Sequence, residues 1–343
     1  MDKLYDSVLA LIPVRHIHEK DMHDSRAILA ETYGKFSAVM ADNGKSLISD
    51  VAVQDAKALC VTILDCFDYI YSGKHKMAYE LLCDRLNHLS YRKKTIGVGE
   101  CFYRMRLREI GKNFDYKDML PIPDDKRYLV KTQRYSMPGL PCLYLGYHAN
   151  ACWEEMHRPP IAECMISRYQ VIKDFQVLAL ELPDLIEFSK DVDNWIRLFP
   201  LIMACMVEVA DYNDPYKSAY VIPQLLMEWL TTEDGAVKQD IKGIRYTSVH
   251  INKQFGYPQE TFNNLAIPVP GPKKEPHVKE LKELFMLTDP TCEEFERIKM
   301  GLELGLVDIE DLTNSTGIYK NSLFGVLESN LNDEDEFPLK EWT

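Results

Sequence analysis

Three stretches of the chain carry side chains able to hold an anion and to stabilise a cation. FYRMR (102–106) supplies Arg104 and Arg106. RYSMPGLPCLYLGYHANACWEEM (134–156) opens with Arg134 and closes near the adjacent carboxylates Glu154 and Glu155, and GIRYTSVH (243–250) supplies Ser248. The planar fork of arginine pairs two N–H donors at once with phosphate or carboxylate oxygens. A fixed carboxylate stabilises positive charge that develops beside it and accepts a hydrogen bond from a hydroxyl. A serine hydroxyl both donates and accepts. Each residue also has an ordinary reading. Arg104 suits a surface ion pair, Ser248 a strand position with no duty, and the two glutamates the polar side of a short helix whose Cys152, Trp153 and Met156 pack inward. Their joint order and spacing sets them apart.

Each of these side chains needs an element to aim it. The Pro138-Gly139 turn leads into the β-type run CLYLGY (142–147), after which a helix brings the glutamates round. Ser248 continues an alternation with Ile244 and Tyr246, against Arg245, Thr247 and Val249, which predicts that it shares a strand face with Tyr246. MISRYQVI (165–172), FQVLALEL (175–182) and IRYTSVHI (244–251) read as further strands, with helices near 194–209 and 219–230. The pattern predicts an α+β body over 94–272. Upstream, Val53, Ala56, Cys60, Ile63, Leu64, Phe67 and Ile70 recur at helical spacing. Ser72-Gly73-Lys74 ends that helix, and Ala78, Leu82, Leu86 and Leu89 stripe a second, giving a hairpin within a helical module over 1–93. Pro268, Pro270, Gly271 and Pro272 mark a connector to a helical extension over 273–343. From Asp308 onward nine Asp/Glu stand against two Lys, which reads as a solvated acidic tail.

Composition narrows the function classes. With 343 residues, 46% hydrophobic and 27% charged, the chain reads as globular, with ample length for a core. A net charge of -13 argues against binding nucleic acid with the whole surface. Residues 91–134 nevertheless hold twelve Lys/Arg against six Asp/Glu, suited to a small phosphorylated ligand or to acidic parts of the same chain. Nine cysteines, an odd number with no CxxC pair, fit buried free thiols in a reducing cytoplasm. The N-terminal apolar run is too short for a secretory signal, and the run from Leu198 to Ala210, interrupted by Pro200 and Glu208, is not expected to span a bilayer. There is no HExxH, and His16, His18 and His23 read as solvated, so no metal is expected. Gly97-Val98-Gly99 and Gly44-Lys45-Ser46 each lack a glycine that a nucleotide-binding loop needs.

Taken together, FYRMR, the 134–156 stretch, YVIPQLLMEWL (220–230) and GIRYTSVH resemble the RES family, over about Phe102 to Ala266. The resemblance implies an α+β, mixed-sheet fold like the ADP-ribosyltransferases and an NAD-degrading toxin, often silenced by an antitoxin. It places the family arginine on Arg104, with Arg106 a rival. It places the glutamate on Glu155 if the segment is aligned without a gap, or on Glu154 with a one-residue deletion, and the serine on Ser248. The second arginine corresponds to Arg134, although Gln133 replaces the preceding glycine and Ser136 the asparagine two residues on.

On that reading Glu155 stabilises an oxocarbenium-like ribose as neutral nicotinamide departs. Arg104 and Arg134 grip the diphosphate, and Ser248 positions the amide or ribose. Tyr135 and Tyr144 cover the nucleotide, with Arg106 and Tyr246 completing its binding set. The expected substrate is NAD, with water or inorganic phosphate as acceptor and depletion of cellular NAD as the outcome. An antitoxin and a second copy of the chain are the expected protein partners, and neither nucleic acid nor membrane is expected. The alternatives are transfer of ADP-ribose to a protein, or a catalytically idle module that binds nucleotide or a partner.

Overall fold

A computed structural model describes residues 1–15, 23–43, 47–89, 92–108, 114–232, 240–250, 259–269, 278–292, 297, 300–308 and 318–342. His16, His18, residues 44–46, the connector at 270–272 and much of the 292–305 segment lie outside them. The helices are α1 (Asp2–Leu9), α2 (Ser25–Asn43), α3 (Asp50–Tyr71), α4 (His75–His88), α5 (Ala149–Glu155), α6 (Leu185–Lys190), α7 (Val192–Cys205), α8 (Val221–Thr231), α9 (Val278–Leu284) and α10 (Leu323–Leu331). The strands are β1 (Lys93–Ile96), β2 (Cys101–Leu107), β3 (Cys142–Gly146), β4 (Cys164–Val171), β5 (Phe175–Leu180), β6 (Ile241–Thr247), β7 (Asn263–Pro268) and β8 (Phe285–Leu287). Two compact units result: Met1–Lys93 with Lys131–Pro138 and Leu178–Lys242, and Lys94–Val130 with Gly139–Val177 and Gly243–Thr343.

The first unit is helical. Helix α3 starts where the Ser49 side chain accepts from the Ala52 N–H at 3.2 Å, and it buries Ala56, Leu59, Ile63 and Phe67 on one stripe. Helix α4 follows after Gly73, which takes φ 72°, so the predicted hairpin forms. Helix α7, VDNWIRLFPLIMAC, is buried around most of its circumference and receives a hydrogen bond at Pro200 O from the Tyr33 hydroxyl at 2.8 Å. Its apolarity serves this core. No helix among the described residues is long and apolar enough to cross a membrane.

The second unit contains residues of all eight strands, in the sheet order β1-β5-β6-β7-β3-β2-β4-β8. Strand β2 pairs antiparallel with β4 from Cys101↔Gln170 to Leu107↔Cys164, and meets β3 at Tyr103↔Gly146. Strand β7 lies between β3 (Gly146↔Asn264) and β6 (Tyr246↔Asn264). Side-chain alternation sorts the core into two faces. One holds Phe102, Leu143, Leu145, Tyr169, Leu265 and Phe285, while the other holds Tyr103, Met105 and Ile166 against Trp153 of α5 and Phe324 and Leu327 of α10. This is the mixed helix-and-sheet architecture expected from sequence.

Over 318–342 the chain's acidic end is packed at intervals, although Asp333, Glu334, Asp335, Glu336 and Glu341 are exposed as expected. Lys340 bridges Leu287 in both directions at 2.8 and 3.2 Å, and Trp342, 4% exposed, stands edge-on to Tyr169. All nine cysteines are free thiols, six of them buried.

Candidate functional site

Helix α5 carries both candidate carboxylates, and its seat begins with a glycine. A Cβ on Gly146 would lie 2.7 Å from Cys152 Sγ and 3.0 Å from His148 O, so only glycine lets the helix fold back this closely on β3. Glu328 of α10, 7% exposed, closes the helix start. Its Oε1 accepts from the Ala149 N–H and from the Tyr319 hydroxyl, both at 2.5 Å, and its Oε2 lies 3.0 Å from His148 Nδ1. Burial first, then the Glu328 charge, push the Tyr319 phenol well above its ordinary pKa, so it stays a donor.

The helix end is a Schellman turn, with His157 N donating to Glu154 O at 2.9 Å and Arg158 N to Trp153 O at 3.0 Å. The position usually given to glycine is taken by His157, at φ 61°, and Arg158 follows at φ 54°. A side chain in this left-handed region costs about 1–2 kcal/mol per residue.

The two glutamates are held differently. Glu154, 7% exposed, takes both Nε and Nη2 of Arg158, at 2.9 and 2.8 Å. Glu155 Oε1 accepts from Asn264 Nδ2 of β7 at 2.8 Å. Asn264 shares its sheet face with Tyr246 on β6 and with Gly146 and Tyr144 on β3, so the anchor of Glu155 lies among the two tyrosines predicted to line the site.

Ser248 lies just past the end of β6, where the sequence predicted a strand position. It is 1% exposed, its N–H donates to Phe262 O at 2.8 Å, and its Oγ accepts from the His250 N–H at 3.0 Å in a local turn. The ring of His250 meets that of His157 edge-on, centroids 5.2 Å apart. The end of α5 and the turn after β6 are thereby joined, which brings the second and third sequence motifs together.

Arg104 sits on the opposite side of β2 from α5, and no contact joins it to Glu155 among the described residues. It lies on β2 in the alternation of Phe102, whereas α5 packs on the side of Tyr103. Its Nη1 is buried and has no hydrogen-bond partner, and the same holds for Oγ of Ser167, its cross-strand neighbour on β4. Arg106, the rival, already donates through Nη1 to Asp118 O. The charges of Arg104 and Glu155 both act on the Cys152 thiol, whose Sγ donates to Tyr103 O at 3.2 Å; burial, the dominant cause, pushes this thiol up to about 12.

Arg134 and Tyr135 belong to the first unit. There Arg134 Nη1 donates to Cys205 O at 2.9 Å and its guanidinium lies over the Tyr220 ring at 5.2 Å, while Tyr135 is fully buried. Gln224 Nε2 donates to both Gln133 O and Ser136 O at 3.2 Å, fixing the small bridged turn that presents them. Among the described residues no cluster of His, Cys, Asp and Glu could hold a metal ion.

Sequence reasoning missed Asn264, the His157–His250 contact and Glu328. Two asparagines opening the otherwise apolar run NNLAIP are a visible signal for the first, and a histidine at a helix C′ position for the second. The chain is similar to a protein of Bacillus subtilis (strain 168) named "Putative toxin YopC", with 33% identity over 223 residues that cover 60% of this chain and 49% of that protein. It thus spans about half the length of the curated relative it matches. No family model matches the chain, and no solved structure does.

Proposed function

We propose that the chain is a toxin-like enzyme that cleaves the nicotinamide–ribose bond of NAD, by hydrolysis or phosphorolysis, and so depletes the cofactor. The observation that carries the reading is the setting of Glu155. Its carboxylate is held by a neutral amide, Asn264 at 2.8 Å, whereas Glu154 is held by a two-point bond to the cationic Arg158. A fixed carboxylate held by an amide suits a ribose that becomes cationic as nicotinamide leaves. Tyr144 and Tyr246 on the same sheet face supply flat surfaces for the nucleotide. The buried, unpartnered Nη1 of Arg104 favours an anionic ligand, because a desolvated N–H without an acceptor is costly. Similarity to a protein named as a toxin supports the biological direction, and a toxin of this kind would be kept silent by an antitoxin protein.

The test is to incubate the folded chain with NAD, with and without inorganic phosphate, and to follow nicotinamide by chromatography. Nicotinamide release with the ADP-ribose product in solution is expected, as free ADP-ribose or in phosphorylated form. Label that moves onto a macromolecule would replace cleavage by ADP-ribosyl transfer. Intact NAD under every condition would leave a non-catalytic module.

A further inference from the structure

Glycine is the residue that the end of α5 calls for, and the chain places His157 there, against local preference. Such departures concentrate where a side chain is needed for its chemistry. The imidazole so positioned lies two residues beyond Glu155, within reach of its charge, and meets edge-on the ring of His250, two residues beyond Ser248. We infer that the His157–His250 pair forms the acceptor side of the Glu155 site, with His157 taking the proton of the oxygen nucleophile that attacks the ribose carbon.

The inference rests on the NAD-cleaving reading above. In that reaction the C–N bond breaks with its electron pair leaving on the nicotinamide nitrogen. An O–C bond forms from water or hydrogenphosphate, and the nucleophile's proton passes to an imidazole nitrogen and on to solvent. No electrons enter or leave, and both nucleophiles have a proton to lose. His157 is suited to receive it because burial, then the neighbouring His250, lower its pKa and keep it neutral near neutrality, while Glu155 pulls the other way. Among the described residues, the neighbouring Glu154 and Arg158 neutralise each other.

His157→Gly is the decisive variant, because it removes the ring and gives the turn its preferred residue. The expected result is an unchanged or raised Tm, a kcat for nicotinamide release lowered about 100-fold, and a KM for NAD within threefold of wild type (about 0.6 kcal/mol of binding). The wild-type kcat should fall as pH drops through the imidazole pKa, which lies below the usual histidine value, and that acid limb should be absent in the variant. Assays with and without phosphate separate the two nucleophiles, since a shared proton acceptor slows both. A variant that turns over within twofold of wild type, or that keeps the acid limb, overturns the inference alone. A wild type that leaves NAD intact overturns the function reading and this inference with it.

Discussion

Glu154 and Glu155 are neighbours in sequence with opposite employment. The first spends its charge on Arg158, and the second meets, among the described residues, an amide. Glu155→Gln should therefore cut nicotinamide release about 100- to 1,000-fold while shifting stability by less than about 1 kcal/mol, because the change is nearly isosteric. Glu154→Gln loosens a pair whose arginine side chain is 41% exposed, so a stability loss below about 1 kcal/mol and little change in turnover are expected. Steady-state rates and urea midpoints on the two variants check this, and the reverse pattern would make Glu154 the acting carboxylate. The sequence alone left this choice open, since two adjacent carboxylates differ only in what they meet across space. The choice between Arg104 and Arg106 was open for the same reason, and the two differ in that Arg106 Nη1 donates to the Asp118 carbonyl while Nη1 of Arg104 is buried without a hydrogen-bond partner.

Helix α5 is short, and its two ends are fixed by residues far away in sequence or contrary to propensity. Its start depends on Glu328, which belongs to a region whose composition reads as solvated acid. The misreading has a physical cause: counting charges over 308–343 treats every carboxylate alike, whereas Glu328 falls on the apolar stripe Phe324, Leu327, Leu331 of α10 and is buried with it. Glu328→Ala would leave the Ala149 N–H and the Tyr319 hydroxyl without their acceptor. At about 1–3 kcal/mol each, a loss of about 2–6 kcal/mol is expected in urea unfolding, with the m-value unchanged. Glu328→Gln keeps an acceptor oxygen and should cost clearly less. A loss below about 0.5 kcal/mol for the alanine variant would mean that water replaces the carboxylate readily.

At the scale of the molecule, local patterns were legible and their assembly was not. The stripe of α3, the hairpin with α4 and the runs at 142–147, 165–172 and 175–182 could be read because helical and strand periodicities are properties of neighbouring residues. The order β7-β3-β2-β4, which places Asn264 beside Gly146 and Tyr103 beside Arg168, is set by pairings between distant segments and leaves no mark on any one of them. The same limit hid the bond from Asn264 to Glu155. Cys152, tucked beneath Gly146, turns this assembly into something that can be timed. Alkylating reagents attack thiolates, and with its pKa near 12 this sulfur offers almost none at neutral pH while the helix stays seated. Iodoacetamide labelling followed by peptide mass mapping should find Cys152 among the slowest thiols, and should find it faster in Glu328→Ala. An inhibitor that prises α5 away would quicken the mark, and one that binds with the helix still seated would not, so one cysteine can distinguish two ways of blocking the same protein.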